Sequence, residues 1–238
     1  MARTRCGEIL GKVLAMKTRA MQRFAALLGL GLALAGCSND PYFSNPVTNI
    51  YSVVFGGDQA PSDVTQQQIV QTLTATDLPV AFFNVASRNS QTLLIQIEQN
   101  APYRTFATAT RQAVVMNHGM ITGTRGLGGD LMSTDESAVL ELVRGRQTGQ
   151  VTYVQRFLTA EDITKTITYR CGVEPDKAVD VNMGLVQASG QEMVAACESP
   201  DGPSFVDYYV VDASGEILAS RQWLGEVTGY AAMHMLRR

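Results

Sequence analysis

The residue with the clearest chemistry in this sequence is Cys37, whose thiol follows the run Leu34-Ala-Gly. A basic segment, 19–23, and an apolar segment, 24–35, precede it, and this order is typical of a secretory signal peptide. The apolar run of about a dozen residues is too short to cross a bilayer as a helix. A cysteine directly after Leu-Ala-Gly indicates a bacterial lipobox, in which the cysteine is acylated, for example with palmitate, and becomes the first mature residue. An ordinary signal peptide with an incidental cysteine is the alternative.

These features divide the chain into three parts. Residues 1–36 are the predicted signal peptide, with Met16 and Met21 as alternative starts of translation. Residues 37–44 are a short lipidated tether, and residues 45–238 are a single β-rich domain. Removing 36 of 238 residues leaves 202, which is enough for one domain with a sizeable core.

Removal of the leader makes the protein acidic. The leader holds six of the 19 Lys and Arg residues and one of the 22 Asp and Glu residues, which leaves 13 against 21 and a net charge of −8. An acidic exported domain is a poor partner for nucleic acid and for anionic lipid headgroups. Contact with a membrane is therefore expected through the acyl chains on Cys37.

Two cysteines are left for the folded domain once Cys6 is removed with the leader and Cys37 is acylated. In an oxidising compartment Cys171 and Cys197 most economically form one disulfide, which closes a loop of about 25 residues and stabilises by about 3 kcal/mol. Such a bridge requires neighbouring strands with Cα atoms about 4.4 to 6.8 Å apart. Two separate buried thiols are the alternative.

Metal and cofactor chemistry has little support in the sequence. The histidines are His118 and His234, and neither a CxxC nor an HxxxH motif occurs. Structural and catalytic zinc sites draw on such motifs. We therefore predict no metal site and no cofactor.

The glycine-rich segment Arg125–Asp130 is the most conspicuous loop motif. It lacks the Gly-Lys-Ser/Thr ending of a phosphate-binding loop, and Leu131 stands where the third glycine of GxGxxG belongs. The favoured interpretation is a glycine turn or bulge between a strand and a helix, with Arg125 paired to Asp130. A ligand or partner contact at Arg125 and Asp130 is the functional alternative.

No recognisable arrangement of catalytic residues stands out in this sequence. No GxSxG occurs, and neither histidine lies beside a recognisable nucleophile motif. A glycoside hydrolase would need two convergent carboxylates, and a pair such as Asp207 and Asp212 does not stand out. Asp207 is predicted on a strand face and Asp212 in a turn. We therefore expect no enzyme, with a glycan hydrolase as the lesser alternative.

Trp223 is the only tryptophan of the chain, and Arg221 lies two residues before it. Because large aromatic side chains are usually buried, a core anchor is the favoured interpretation of Trp223. An aromatic face beside a cationic donor also suits a sugar ring. Arg221 and Trp223 are therefore candidate ligand or partner contacts.

Hydrophobic periodicity predicts the elements that must position these residues. One helix is predicted from Asn45 to the Gly56-Gly57 pair, and another at 135–144 between two halves of a sheet. A helix after Asp63 should place on one side Val64, Ile69, Val70 and Leu73. Short strands are predicted at 80–85, 92–98, 104–109, 113–118, 120–124, 151–158, 164–171, 193–197, 204–211, 216–223 and 230–236. Strands and turn signals this frequent indicate an antiparallel, mainly β fold.

Several segments, in this order along the chain, resemble the YjbF/GfcB family of lipoproteins, which is linked to group 4 capsule and exopolysaccharide production. They are Leu34–Cys37, 49–52, Thr124–Ser133, Cys171, Cys197, 208–212 and Ser220–Gly225. The most specific are Thr-Arg-Gly-Leu-Gly-Gly-Asp-Leu, at 124–131, and Ser-Arg-Gln-Trp-Leu-Gly, at 220–225. The resemblance covers essentially the whole mature chain. The family pattern has a proline after Trp-Leu-Gly, and this chain has Glu226 there instead. The difference concerns only a local turn.

The resemblance implies a periplasm-facing envelope lipoprotein that supports assembly or export of a surface polysaccharide, and it carries over no catalytic residues. It implies a mainly β fold whose antiparallel sheet forms a partly closed barrel or a sandwich, with one or two short N-terminal helices packed on it. The expected partners are the membrane, through lipid on Cys37, polysaccharide-export proteins, and the polysaccharide itself. Ser38, rather than an aspartate, follows the acylated cysteine, which favours the outer membrane over the inner one.

A second function stays open at this stage. A β fold with an interior cavity is able to hold a lipid or a segment of glycan, and Trp223 is the residue expected near it. This envelope-binding module would need neither a catalytic group nor a cofactor.

Overall fold

The fold is seen in a computed structural model that describes residues 63–159 and 163–238. These residues belong to one compact unit, Ala60–Arg238. The signal peptide, Cys37, the tether and the helix predicted after Asn45 lie outside the described residues. Their predictions therefore stay predictions.

Twelve antiparallel strands form the described part of the chain. They are β1 (Val80–Val85), β2 (Ser90–Asn100), β3 (Tyr103–Ala107), β4 (Ala113–Asn117), β5 (Met120–Arg125), β6 (Leu131–Asp135), β7 (Gly149–Leu158), β8 (Thr164–Met183), β9 (Val186–Ser199), β10 (Gly202–Val211), β11 (Ile217–Trp223) and β12 (Tyr230–Arg237). Each strand pairs with its neighbours in sequence, except that β1 also pairs with β12 and that β5 and β6 are the two edges of the sheet. The sheet is a nearly closed barrel, and the mainly β prediction with a partly closed sheet is confirmed.

Helix α1 (Gln66–Ala75) begins at Thr65, whose hydroxyl accepts the amide N–H of Gln68 in a capping box. Ile69 and Leu73, one helical turn apart, are buried against Val80 and Leu236. This small cluster lies on the opposite face of β1 from the main core, because neighbouring residues of a strand point to opposite faces. The helix predicted after Asp63 is confirmed, but Val70 is exposed. The contact face is a single narrow stripe, and Val70 falls outside it.

Helix α2 (Ser137–Gly145) lies between β6 and β7, as the sequence predicts, and buries Val139, Leu140 and Val143 in the main core. Arg144 and the left-handed Arg146 are at its C-terminal end. Arg144 Nε donates to the carbonyl oxygen of Gly215 at 2.9 Å, and Arg146 Nη1 to that of Asp212 at 2.9 Å. The turn between β10 and β11 therefore accepts hydrogen bonds from the end of this helix.

Cys171 on β8 and Cys197 on β9 form the predicted disulfide. The two residues stand directly opposite one another in the antiparallel ladder, and both are buried. Their Cα atoms are 4.1 Å apart, slightly closer than expected. Directly opposed residues of a non-hydrogen-bonded antiparallel pair have Cα atoms about 4.5 Å apart, which is already at the short end of the expected range.

The structure extends the β prediction in two places. Strand β8 continues twelve residues beyond the predicted end at Cys171, and β9 begins at Val186 rather than at Met193. The added part of β8 contains Pro175 within an exposed run, residues 174–178, which interrupts the apolar alternation that Val173, Val179 and Val181 otherwise show. Strand β6 was not predicted either, because only its first residue, Leu131, is buried.

Candidate functional site

The segment Thr124–Leu131 joins the two edges of the sheet. The amide N–H of Leu131, the first residue of β6, donates to the hydroxyl of Thr124 on β5 at 3.0 Å. The guanidinium of Arg125 donates to the carbonyl oxygens of Thr124, Leu131 and Met132 at 2.6, 3.3 and 3.5 Å. Side chains of β5 therefore donate hydrogen bonds to, or accept them from, the backbone of β6, although the two edge strands are not paired with each other. We call this segment the seam.

Asp130 holds the glycine turn of the seam in shape. One carboxylate oxygen accepts the Leu127 amide at 3.0 Å and the Thr124 hydroxyl at 3.1 Å, and the other accepts the Gly126 amide at 2.7 Å. The predicted pairing of Arg125 with Asp130 is wrong, because within the described residues each group bonds to backbone or to Thr124 instead. The turn connects two strands rather than a strand and a helix.

Replacing Asp130 by alanine is expected to lower the free energy of unfolding by about 2 to 3 kcal/mol. The reason is that two backbone N–H groups and a hydroxyl lose a charged acceptor. Urea unfolding of the purified protein measures the change. The matched control is Asp135→Ala, which removes a carboxylate paired with Arg156 at the exposed surface and should leave the midpoint unchanged. Equal effects of the two substitutions would contradict the structural role of Asp130.

The backbone of Trp223 is fixed from inside the barrel. Its N–H donates to the carboxylate of Asp207 at 2.7 Å, and its carbonyl oxygen accepts the side-chain amide of Gln155 at 3.1 Å. The loop that follows turns back on itself, because the Gly229 amide donates to the Gly225 carbonyl at 2.7 Å. The stretch Ser220–Gly225, one of the two most specific to the family, therefore leads into a fixed loop, 224–229, between β11 and β12.

The seam and the loop 224–229 meet at close range. The hydroxyl of Thr228 donates to the carbonyl oxygen of Gly129 at 3.0 Å. A Cβ atom at Gly129 would lie 2.4 Å from Cβ of Val227, and one at Gly225 would lie 2.6 Å from the ring of Phe157. Only glycine permits approaches this close. The two stretches that are most specific in sequence thus form one site.

A cavity of about 440 Å³ lies at this junction, at one end of the barrel. Its volume falls within the usual range for small-molecule sites. Its wall includes the seam backbone at Gly128 and Gly129 and two acidic residues, Asp130 and Glu226. Most of its side chains are aromatic or aliphatic, and they include Phe157, Leu158, Ile167, Tyr169, Trp223 and Val227.

The charged groups of the cavity wall are engaged with the protein, whereas the hydroxyl of Tyr169 and Nε1 of Trp223 have no hydrogen-bond partner within the described residues. Asp130 accepts the three hydrogen bonds of the seam turn, and Lys165 Nζ lies 3.7 Å from a carboxylate oxygen of Glu226. Burial, helped by the negative charges of Glu226 and Asp207, raises the pKa of Tyr169 to about 12, so the phenol is neutral at physiological pH. Glu226 itself lies in the turn of the loop 224–229.

The structure supports the core-anchor interpretation of Trp223 and also places the residue in the cavity wall, whereas its contact with a ligand or partner stays a prediction. Its partly buried ring packs against the main core, stacks on Phe205 at a centroid distance of 6.4 Å and meets Tyr230 edge-on at 5.2 Å. The guanidinium of Arg221 lies 3.6 Å from the centroid of the Tyr230 ring, a cation–π contact. The candidate residues Arg125, Asp130, Arg221 and Trp223 therefore lie at the same end of the barrel, and Asp130 and Trp223 line the cavity.

Asp207 is a buried acid that the sequence did not single out as unusual. Its carboxylate accepts the Tyr209 hydroxyl at 3.1 Å as well as the Trp223 amide, and it is 1% exposed. Burial, opposed by these hydrogen bonds and by Arg221, raises its pKa to about 8. Asp212 lies in the turn between β10 and β11, as predicted, and accepts the amide of Ser214 at 2.8 Å. The two carboxylates do not share a cleft.

The histidines lie away from the cavity. His118 Nδ1 is 3.2 Å from a carboxylate oxygen of Glu216, which also pairs with Arg104. Burial and the nearby Arg144 and Arg104 charges lower the pKa of His118. His234 is on β12 beside Phe82, and burial lowers its pKa. In residues 63–159 and 163–238, no cluster of His, Cys, Asp and Glu is arranged to hold a metal ion.

Fold and site together define a twelve-stranded, nearly closed antiparallel barrel with a cavity lined mainly by apolar side chains at one end. Over residues 47–236 the sequence matches the family model described as "Group 4 capsule polysaccharide lipoprotein gfcB, YjbF". The chain belongs to this family, which places it among cell-envelope lipoproteins with a role in capsule or exopolysaccharide production. In the part of the chain that the structure describes, no helix has the length and apolar character to cross a bilayer.

A solved structure agrees with the fold. The hypothetical lipoprotein YmcC from Escherichia coli superposes with a TM-score of 0.60 at 14% identity, over 82% of this chain and 97% of that one. A chain from Parabacteroides distasonis described as a lipoprotein matches 68% of this chain and 95% of its own at 10% identity, with a TM-score of 0.27. No curated protein sequence matches.

Some site residues were not found from the sequence. Phe157, Gly129 and Val227 help to build the cavity, and none was predicted to do so. A retrospective signal exists for Val227, an aliphatic residue between Glu226 and Thr228 in a loop, where polar residues are the rule. Phe157 and Gly129 become informative only when the two loops are seen to touch.

Proposed function

We propose that this chain is a lipid-anchored, periplasm-facing accessory protein for assembly or export of capsule or exopolysaccharide, and that it is not an enzyme. The observation that carries the proposal is the family match over residues 47–236. The family description names a capsule polysaccharide lipoprotein, and the barrel is a fold suited to binding rather than tied to one reaction.

The anchor is the acyl group on Cys37. Several buried acyl chains hold a protein stably on a membrane, whereas one chain releases it. Ser38 after the acylated cysteine supports the outer membrane as the destination. The predicted tether, residues 37–44, would separate the lipid anchor from the folded domain.

A non-catalytic role is supported by the use of the acidic groups near the cavity. A glycan hydrolase needs an acid and a second carboxylate facing one cleft. Asp130 is held by the seam turn, Glu226 pairs with Lys165, and Asp207 is bound to Tyr209 and to backbone inside the barrel. Such carboxylates serve structure.

A strain that lacks the gene tests the proposal. Total polysaccharide and surface polysaccharide are measured separately, together with the composition and length of the polymer. An accessory export factor predicts less polymer at the surface, retention of polymer inside the envelope, and an unchanged repeat unit. A polymer whose length or chemical composition differs from that of the wild type would point to an enzyme instead, and an unchanged surface yield would refute the accessory role.

A second candidate function is an envelope module that binds a lipid or a segment of glycan. The observation that favours it is the cavity of about 440 Å³ beside Trp223. Binding of this kind is compatible with an accessory role, because a polysaccharide-export factor meets both lipids and glycans in the envelope.

A further inference from the structure

We propose that the cavity between the seam and the loop 224–229 binds a single-chain amphiphile with an anionic head, whose apolar chain occupies the cavity. The proposal rests on the binding function suggested above and names its ligand class. It does not depend on the role in polysaccharide production. The argument comes from the wall, the rim and the charge of the cavity.

The wall favours an apolar chain over a sugar. Phe157, Ile167, Tyr169 and Trp223 present rings and aliphatic groups. A sugar entering this cavity would give up many hydrogen bonds to water, and the wall offers few in return, namely those of the Tyr169 hydroxyl, Trp223 Nε1 and the exposed Lys165–Glu226 pair. Asp130 is fully used by the seam turn. An apolar chain loses nothing on leaving water and gains contact with the wall.

The rim extends the apolar surface outward. Leu158 and Val227 line the cavity and are 39% and 64% exposed, and Ile163 is 62% exposed. The carbonyl of Ile163 accepts the amide of Thr159, another wall residue, at 2.9 Å, which places it beside the others. Exposed aliphatic residues grouped at the mouth of a cavity give an apolar chain a continuous path from outside.

Lys165 is the group at the mouth that can bind an anionic head. The wall also holds two carboxylates: Asp130, which three donors of the seam turn neutralise in part, and Glu226, which pairs with Lys165 at 3.7 Å with both ends exposed to water. Exposed ion pairs of this kind are weak. The ammonium group can therefore turn to a carboxylate or phosphate while the chain lies inside.

The site is formed before any ligand arrives. The Thr228–Gly129 hydrogen bond and the close packing of Gly129 on Val227 and of Gly225 on Phe157 fix both loops around the cavity. A preformed site avoids the entropic cost of ordering loops on binding.

The test uses Trp223, the single tryptophan of the 238-residue chain, as its reporter. The acylated lipoprotein is reconstituted in phosphatidylcholine vesicles and titrated with dibromostearate, whose bromine atoms quench indole on contact, or with plain stearate. Saturable quenching by dibromostearate alone is expected. Lys165→Ala should weaken binding of the fatty acid and leave binding of its uncharged methyl ester unchanged.

Matched substitutions locate the site. Val227→Glu places a charge at the mouth and should weaken apparent binding at least tenfold, whereas Ile97→Glu makes the same change at a 66% exposed position on β2, which does not line the cavity, and should not. Leu158→Glu is a second mouth variant, and thermal unfolding of each variant confirms that it is folded.

Two results would overturn the proposal. Unsaturable quenching that is equal in Val227→Glu and Ile97→Glu would mean contact with membrane lipid only. A saturable change of Trp223 fluorescence with oligosaccharides of the strain's own polymer, with no saturable binding of fatty acid, would make the cavity a glycan site. Neither readout depends on polysaccharide yield, so failure here and failure of the accessory role are distinguishable.

Discussion

Replacing Asp207 by asparagine is expected to stabilise the protein at neutral and weakly alkaline pH and to flatten its stability between about pH 4 and about pH 8. The buried carboxyl has its pKa raised to about 8, whereas the unfolded chain ionises near the ordinary value of 3.8. Between these values the folded state binds one proton more than the unfolded state, so a rise in pH favours unfolding.

The size of the effect follows from linkage. In the pH range where only the folded state holds this proton, each rise of one pH unit lowers the free energy of unfolding by up to about 1.4 kcal/mol. The loss is therefore several kcal/mol by about pH 8, where it levels off, and it is absent below about pH 4. Asparagine is isosteric with the neutral acid and can still accept the Trp223 amide, so the variant should lack this slope.

Urea unfolding at a series of pH values measures the difference between the two proteins. The control is Asp135→Asn, which neutralises an exposed carboxylate of β6 and should keep the wild-type slope. Parallel curves for wild type and Asp207→Asn would show that Asp207 is ionised in the folded protein. They would contradict the prediction that Asp207 is a neutral, buried acid.

Loss of the Cys171–Cys197 disulfide is expected to lower the free energy of unfolding by about 3 kcal/mol. The bridge joins residues 26 apart in sequence, and closing a loop of that size restricts the unfolded chain. The two strands are also paired by the ladder around the bridge, so the folded barrel should survive without it. The reduced protein is therefore expected to stay folded but to unfold at a lower urea concentration.

Two forms of the protein separate the effect of the covalent bond on stability from the effect of the cysteine side chains. Reduction of the wild type removes only the bond, whereas Cys171→Ala with Cys197→Ala also removes two buried sulfur atoms and should be at least as unstable. Added reductant should have no effect on the double variant. Equal midpoints for oxidised and reduced wild type would contradict a stabilising bridge.

Much of the barrel could be predicted because its strands alternate. Strands β10, β11 and β12 bury every second residue or more, and their limits were predicted to within about two residues. The capped helix α1 and the disulfide followed from equally local signals. The added part of β8 could not be predicted, because Pro175 and the exposed residues 174–178 separate its buried residues Val173 and Val181.

The site was predicted only as fragments. Trp223 and Asp130 were candidates, but sequence spacing could not show that the loop 224–229 and the seam touch, since residues 129 and 228 are far apart in the chain. The expected Arg125–Asp130 pair failed for a related reason. Backbone N–H groups of a tight glycine turn competed for the carboxylate, and carbonyls of the neighbouring strand competed for the guanidinium. Long-range contacts of this kind depend on closure of the sheet.

The measurement that tests the central claim most directly is the surface polysaccharide yield of a clean deletion strain complemented with the wild-type gene or with Cys37→Ala at matched protein levels. The account predicts that the deletion strain loses surface polysaccharide and that only the acylated wild type restores it. Normal surface polysaccharide in the deletion strain, or full restoration by Cys37→Ala, would contradict a lipid-anchored role in its assembly or export.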